Sequence, residues 1–259
     1  MTGSAGVMAI VLAQTVAGSV ALVMLTPLWN EVKPGFFTLT GVVVATLAIP
    51  AWWSAHVGLV PGDGVGLWAV RAAALTAALA VSWAALMLLK RRSTARVVAL
   101  ASVPASIATL VALAGTARQD EGVALFQVLA GAAFLGAVLD GLLLGHWYLT
   151  DRGLPRRPIE RSTTILIGAV ILEAAAVISA GFGGVGAAEQ FNPLLGAGGL
   201  ASWIALGMVG ATGLIAVMVR LTLRGERASA VQSATGFFYL AVVTAFTAEV
   251  AVKVRFLPG

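Results

Sequence analysis

VALFQVLAGAAFLGAVLDGLLLGHWYL, residues Val123–Leu149, decides the fold. A bilayer crossing takes about 20 predominantly apolar residues. This run is longer than that and carries a single carboxylate, Asp140. Its apolar residues do not alternate with period two, as barrel strands would, so the segment reads as a membrane helix. The rest of the chain agrees. Hydrophobic residues make up 59% of it and charged residues 10%, against roughly 45–50% and about 25% in soluble domains. With a mean hydropathy of +0.98, a water-soluble globule, a disordered chain and a fibrous protein are excluded.

Working outward, charge, Gly and Pro divide the chain into eight apolar segments. They lie near residues 7–28, 37–55, 67–89, 96–116, 123–149, 163–182, 196–219 and 231–252. The expectation is an all-α integral membrane protein, a single polytopic bundle of eight helices. The N-terminus lacks the positive region of a signal peptide, so the first segment is expected to remain as a membrane helix. No connection is long enough to form an extramembrane domain.

Basic residues predict the orientation. Loops after the odd-numbered segments hold Lys33; Lys90, Arg91, Arg92 and Arg96; Arg152, Arg156, Arg157 and Arg161; and Arg220, Arg224 and Arg227. The other side holds Arg71, Arg118, Lys253 and Arg255. Positive-inside bias places the first set in the cytoplasm and both termini outside, in a plasma or bacterial inner membrane. Trp52, Trp53 and Trp68 then fall near outer helix ends, and Trp29 and Trp147 near inner ends. Trp83 and Trp203 lie deeper and are expected to pack. The formal charge of +5 is read as basic loops against anionic lipid, not as a nucleic-acid surface, because no basic stretch is long enough for one.

A weak internal repeat accompanies this pattern. Gly18–Trp29 aligns without a gap on Gly136–Trp147, and each run leads into a Pro-containing loop. A parallel four-plus-four duplication, related by an axis along the membrane normal, is expected from it. Asp140 and His146 then stand where the first half has Leu22 and Leu28. Small residues, such as Gly141-xxx-Gly145 and Gly207-xx-Gly210-xx-Gly213, permit close helix approach. A Gly-rich stretch around Glu189, Gln190 and Asn192 reads as an outer connection and not as a phosphate loop.

Of the 11 acids, Asp140, Glu173 and Glu249 fall in membrane segments. Ionisable groups at that depth are costly unless paired, protonated or watered. Counted from the loop between the fifth and sixth segments, Asp140 and Glu173 both lie about ten residues deep, or ~15 Å. Both occupy faces rich in small residues, so the pair is expected to meet and share a proton. Gln14 and Tyr239 are candidate hydrogen-bond partners. Glu249, close to Lys253 at i+4, reads as a packing residue near the outer rim.

His146, Trp147 and Tyr148, at an inner helix end, suit a quinone headgroup, a lipid headgroup or the edge of a haem held by one histidine and another ligand. The only other histidine, His56, belongs to the opposite face, so bis-histidine haem ligation is disfavoured. With no cysteine, disulfides, thiolate metal sites and iron–sulfur clusters are excluded. No hydrolase triad, paired-His zinc motif, Asp-rich diphosphate motif or retinal-type lysine is present, which argues against an enzyme acting alone. Three functional expectations follow. The first is a subunit of an energy-converting or respiratory complex that handles protons at the carboxyl pair and contacts quinone, working with other membrane subunits or a second copy. The second is a proton-coupled carrier of a small solute. The third is a structural or assembly protein.

Overall fold

A computed structural model describes residues 3–59, 64–117, 120–151, 153–182, 199–225 and 229–256. Among them the chain forms α1 (Gly3–Leu25), a short α2 (Leu28–Glu31), α3 (Pro34–Gly58), α4 (Gly64–Leu88), α5 (Arg92–Ala114), α6 (Glu121–Thr150), α7 (Arg157–Ser179), α8 (Leu200–Leu223) and α9 (Ser229–Lys253). All but α2 are long and apolar enough to cross a membrane, eight in number. This is the architecture of a multi-pass membrane protein. The connection holding Glu189, Gln190 and Asn192, and Arg118, lie outside the described residues.

Prolines explain several boundaries. Pro27 ends α1, whose last backbone bond runs from the Thr26 N–H to the Leu22 carbonyl (3.1 Å). Pro34 opens α3, where its missing N–H costs nothing. Pro158 does the same in the first turn of α7. As a result α7 begins at Arg157 and not near 163, because charged residues are tolerated in a helical first turn at the bilayer rim. Pro50 and Pro104 lie inside α3 and α5 without ending them. Trp203 departs from the expectation that it lies deep and packs. Since α8 starts at Leu200, Trp203 stands at a helix end, is 59% exposed and leans on Phe182 at 4.7 Å. Trp83 is fully buried, as expected.

Neighbour relations organise the bundle into two rings. In the first, α1 packs on α3, α3 on α4, α4 on α5, and α5 returns to α1. In the second, α6 packs on α7, α7 on α8, α8 on α9, and α9 returns to α6. The rings meet mainly through α1 and α6, the two most enclosed helices, with 78% and 67% of their apolar windows buried against 28–50% elsewhere. An added Cβ on Gly18 would lie 1.8 Å from the Ala132 carbonyl oxygen, and one on Gly136 would lie 2.3 Å from the Gly18 carbonyl carbon. Glycine is therefore required on both sides of this backbone contact. Gly18 and Gly136 are the two residues that the sequence alignment superposes, and equivalent positions touch each other only beside a symmetry axis.

Matching hydroxyl pairs reinforce the correspondence. Thr76 of α4 bonds Thr109 of α5 at 3.0 Å, and Thr212 of α8 bonds Thr244 of α9 at 2.7 Å. Each pair joins the third and fourth spanning helices of its ring.

Candidate functional site

The buried charges sort into two levels, and the levels differ from those read off the sequence. Asp140 and Glu173 do not form a pair. The start of α7 at Arg157 explains why. Glu173 lies about 24 Å along α7 from the basic end of the bundle, whereas Asp140 lies about 15 Å from the same end of α6. Counting both from the loop had placed the helix start too late.

Glu173 instead meets α9. Its side chain comes within hydrogen-bonding range of Glu249 and feels the charge of Lys253. Glu173, Glu249 and Lys253 are all fully buried. Lys253 Nζ lies 3.1 Å from Glu249 Oε2 and donates to the Gln127 carbonyl of α6 at 3.2 Å. The Phe256 ring, 5.4 Å from Nζ, covers the ammonium. From α1, Gln14 donates its amide to the Gln127 and Val128 carbonyls at 3.3 and 3.0 Å.

Gly131 makes the convergence possible. A Cβ there would fall 2.1 Å from Gln14 Nε2 and 2.6 Å from Glu249 Oε2. The missing side chain is the space that the Gln14 amide and the Glu249 carboxyl share. Four helices, α1, α6, α7 and α9, thus supply one polar cluster in the half of the bundle away from the basic loops.

Its electrostatics follow from counting. Among the described residues the cluster holds two carboxyls and one ammonium, so with both glutamates ionised its net charge is one negative. An uncompensated charge in a buried, apolar setting is strongly disfavoured. One proton on the carboxyl pair makes the cluster neutral, and it also supplies the hydrogen that a Glu173–Glu249 bond needs. Without that proton, Glu173 Oε1 and Oε2, Glu249 Oε1 and Gln14 Oε1 have no hydrogen-bond partner among the described residues.

Asp140 occupies the second level, toward the basic end. It is 5% exposed, and its Oδ1 has no hydrogen-bond partner among the described residues. It borders a space of about 10 Å³, lined also by Thr26, Arg161 and Ser162, which is room for one water. Arg161 is itself held by Glu31 of α2 through paired bonds of 3.0 and 2.9 Å. Glu31 lies outside the spanning helices. The Arg161 bonds keep its carboxyl below the ordinary glutamate value, outweighing its partial desolvation, with the Arg161 and Arg157 charges adding to the effect.

The remaining candidates disperse. Tyr239 is 52% exposed on the outer side of α9 and does not join the cluster. His146 is exposed. Trp147 covers Gly35 and meets Phe36 edge-on at 6.5 Å, and Tyr148 turns inward to donate to the Pro155 carbonyl. Successive helical residues point about 100° apart, so these three do not line one headgroup pocket. Lys253 was missed as a site residue because it stands at the end of its helix. Glu249 was legible: it shares a face with Phe238, Ala241, Ala245 and Val252, all buried. That is the small-residue argument used for Asp140 and Glu173. No protein family, curated protein or solved structure matches the chain.

Proposed function

We propose that the chain handles protons inside the membrane, with the Glu173–Glu249 carboxyl pair as the exchanging group. The observation that carries this reading is the charge count of the buried cluster: two carboxyls facing one ammonium hold one proton when neutral. Lys253 and Gln14 fix the geometry, and Lys253 keeps the second carboxyl ionised. Asp140, beside its water-sized space, is the group that exchanges with the basic end, which positive-inside bias assigns to the cytoplasm. A membrane subunit of an energy-converting complex, working with other subunits, fits this division best. The space beside Asp140, about 10 Å³, suits a water and not a bulky solute. The quinone contact expected at His146, Trp147 and Tyr148 is not retained, since those side chains diverge.

A second reading, proton-coupled solute transport, draws on the paired rings. Transporters with parallel repeats place coupling groups where the halves meet, and Gln14 of one ring touches the cluster of the other. Proton flux separates these readings from a purely structural role. Protein reconstituted into liposomes holding a pH-sensitive dye is exposed to a potassium-driven potential. Wild type is expected to acidify the lumen faster than protein-free vesicles, and Glu173→Gln/Glu249→Gln to abolish the difference. Equal rates for wild type and the double variant would overturn the assignment.

A further inference from the structure

One cleft in the described structure lies away from the buried acids. It lies at the basic end between α7 and α8, with a volume of about 420 Å³. Arg157, Glu160, Arg161 and Thr164 line it from α7, and Arg220 and Arg224 from α8. The two arginine pairs share one spacing, i and i+4, so each pair stacks on one helix face. Arg220 donates to the Thr164 hydroxyl at 2.9 Å, which holds it in the cleft. Arg161 is neutralised by Glu31. Among the described residues Arg157, Arg220 and Arg224 have no ion-pair partner, so Glu160 is the one acid set against three cations in the groove.

Like charges gathered in a groove repel one another, and an anion relieves that repulsion. Guanidinium groups suit phosphate oxygens in particular, through forked pairs of donors. The walls show which phosphate. Toward the membrane interior the same side of α8 continues with exposed Val217, three residues before Arg220, and α7 with exposed Ile171, seven residues after Thr164. Between Thr164 and Ile171, Gly168 has open space where a Cβ would stand. A polar cleft that runs into an apolar, lipid-facing track accommodates a phosphate joined to an acyl chain. Basic pockets between helices at this level are known headgroup sites.

We propose that the α7–α8 groove binds the phosphate headgroup of an anionic lipid, with Arg157, Arg220 and Arg224 as its ligands. The site takes a lipid phosphodiester in preference to free phosphate because the apolar track contributes to binding.

Native mass spectrometry of the full chain in neutral detergent tests this, with phosphatidylglycerol, phosphatidylcholine and inorganic phosphate as probes. Phosphatidylglycerol is expected to remain bound where phosphatidylcholine does not. Each Arg→Gln change at 157, 220 or 224 weakens its retention about fivefold. Arg91→Gln/Arg92→Gln, at the same end but in the other ring, leaves retention unchanged. Raising ionic strength on wild type weakens phosphatidylglycerol relative to phosphatidylcholine, a readout that needs no variant to fold. Equal retention of the two lipids, or Arg220→Gln/Arg224→Gln behaving as wild type, would overturn the proposal. Displacement of phosphatidylglycerol by an equal concentration of inorganic phosphate would overturn the lipid assignment and leave an anion site.

Discussion

The two rings share a packing order but not a chemistry. In the first, every buried polar side chain among the described residues is neutral: Gln14, Thr15, Ser19, Thr40, Thr76, Ser102, Ser106 and Thr109. In the second, Asp140, Glu173, Glu249 and Lys253 are buried as well. Both rings carry the threonine pair between their third and fourth spanning helices, and both contribute a glycine to the central contact. What is common to the halves is therefore the set of features that lets helices approach and lock. What differs is the set that titrates. A scaffold held by small residues and hydroxyl bonds tolerates such divergence, because neither feature depends on the charge state of a neighbour.

The largest effect that breaks this comparison should come from Lys253→Met. It removes the ammonium that faces a buried pair of acids, and stranding a buried charge costs about 3–5 kcal/mol. Thermal unfolding in detergent should show a marked loss, partly restored by adding Glu249→Gln. The matched disturbance in the first ring, Thr109→Val, should cost about 1 kcal/mol or less, as interhelical hydroxyl bonds do. If the two variants melt alike, the rings do not differ energetically in the way their buried groups indicate.

The next effect probes what the rings share. Gly136→Val sets a side chain against the Gly18 backbone, which cannot move aside as a flexible side chain would. Overpacking of this kind costs about 1–3 kcal/mol. Gly207→Ala, on a helix surface with no atom within 4 Å of the added carbon, should be neutral or slightly stabilising. Comparable melting of the two variants would show that the α1–α6 contact is not close-packed.

Much of this was legible in the chain. The eight spans follow from the 59% hydrophobic content and its interruptions, because lipid leaves a crossing segment little choice but helix. The repeat was read from one alignment, Gly18–Trp29 on Gly136–Trp147, and the chain alone did not show that the two glycines it superposes touch. Site residues were harder. Depth counted from a loop depends on where the helix starts, and a start at Arg157 moved Glu173 away from Asp140. Lys253 was set aside as a rim residue, yet Phe256 and the α6 backbone enclose it. A terminal position along the chain does not reveal whether later residues fold back over it. The arginine groove was hidden for another reason: Arg157 and Arg220 are distant in sequence, and basic loops served there only to predict orientation.

The smallest effect concerns how the rings are tied at the basic end. Two ion pairs cross between them, Lys33 with Asp151 at 3.0 Å and Glu31 with Arg161 at 2.9 Å. Arg161 holds the Glu31 carboxyl below the ordinary glutamate value of 4.5. A carboxyl depressed in the folded state binds its proton more readily when unfolded. Its contribution to stability is thus complete above the unfolded value and fades as pH falls through the folded one. The contact is partly exposed, with 33% and 28% of the two side chains accessible, so solvent screening limits it to about 1 kcal/mol. Glu31→Gln should lower the melting temperature slightly at pH about 7, and the gap from wild type should close as the pH falls below 4.5. A gap that stays constant over that range would mean that Glu31 acts through packing and not through charge. A gap that widens on acidification would reverse the sign and remove the Arg161 pair as the tie between the rings.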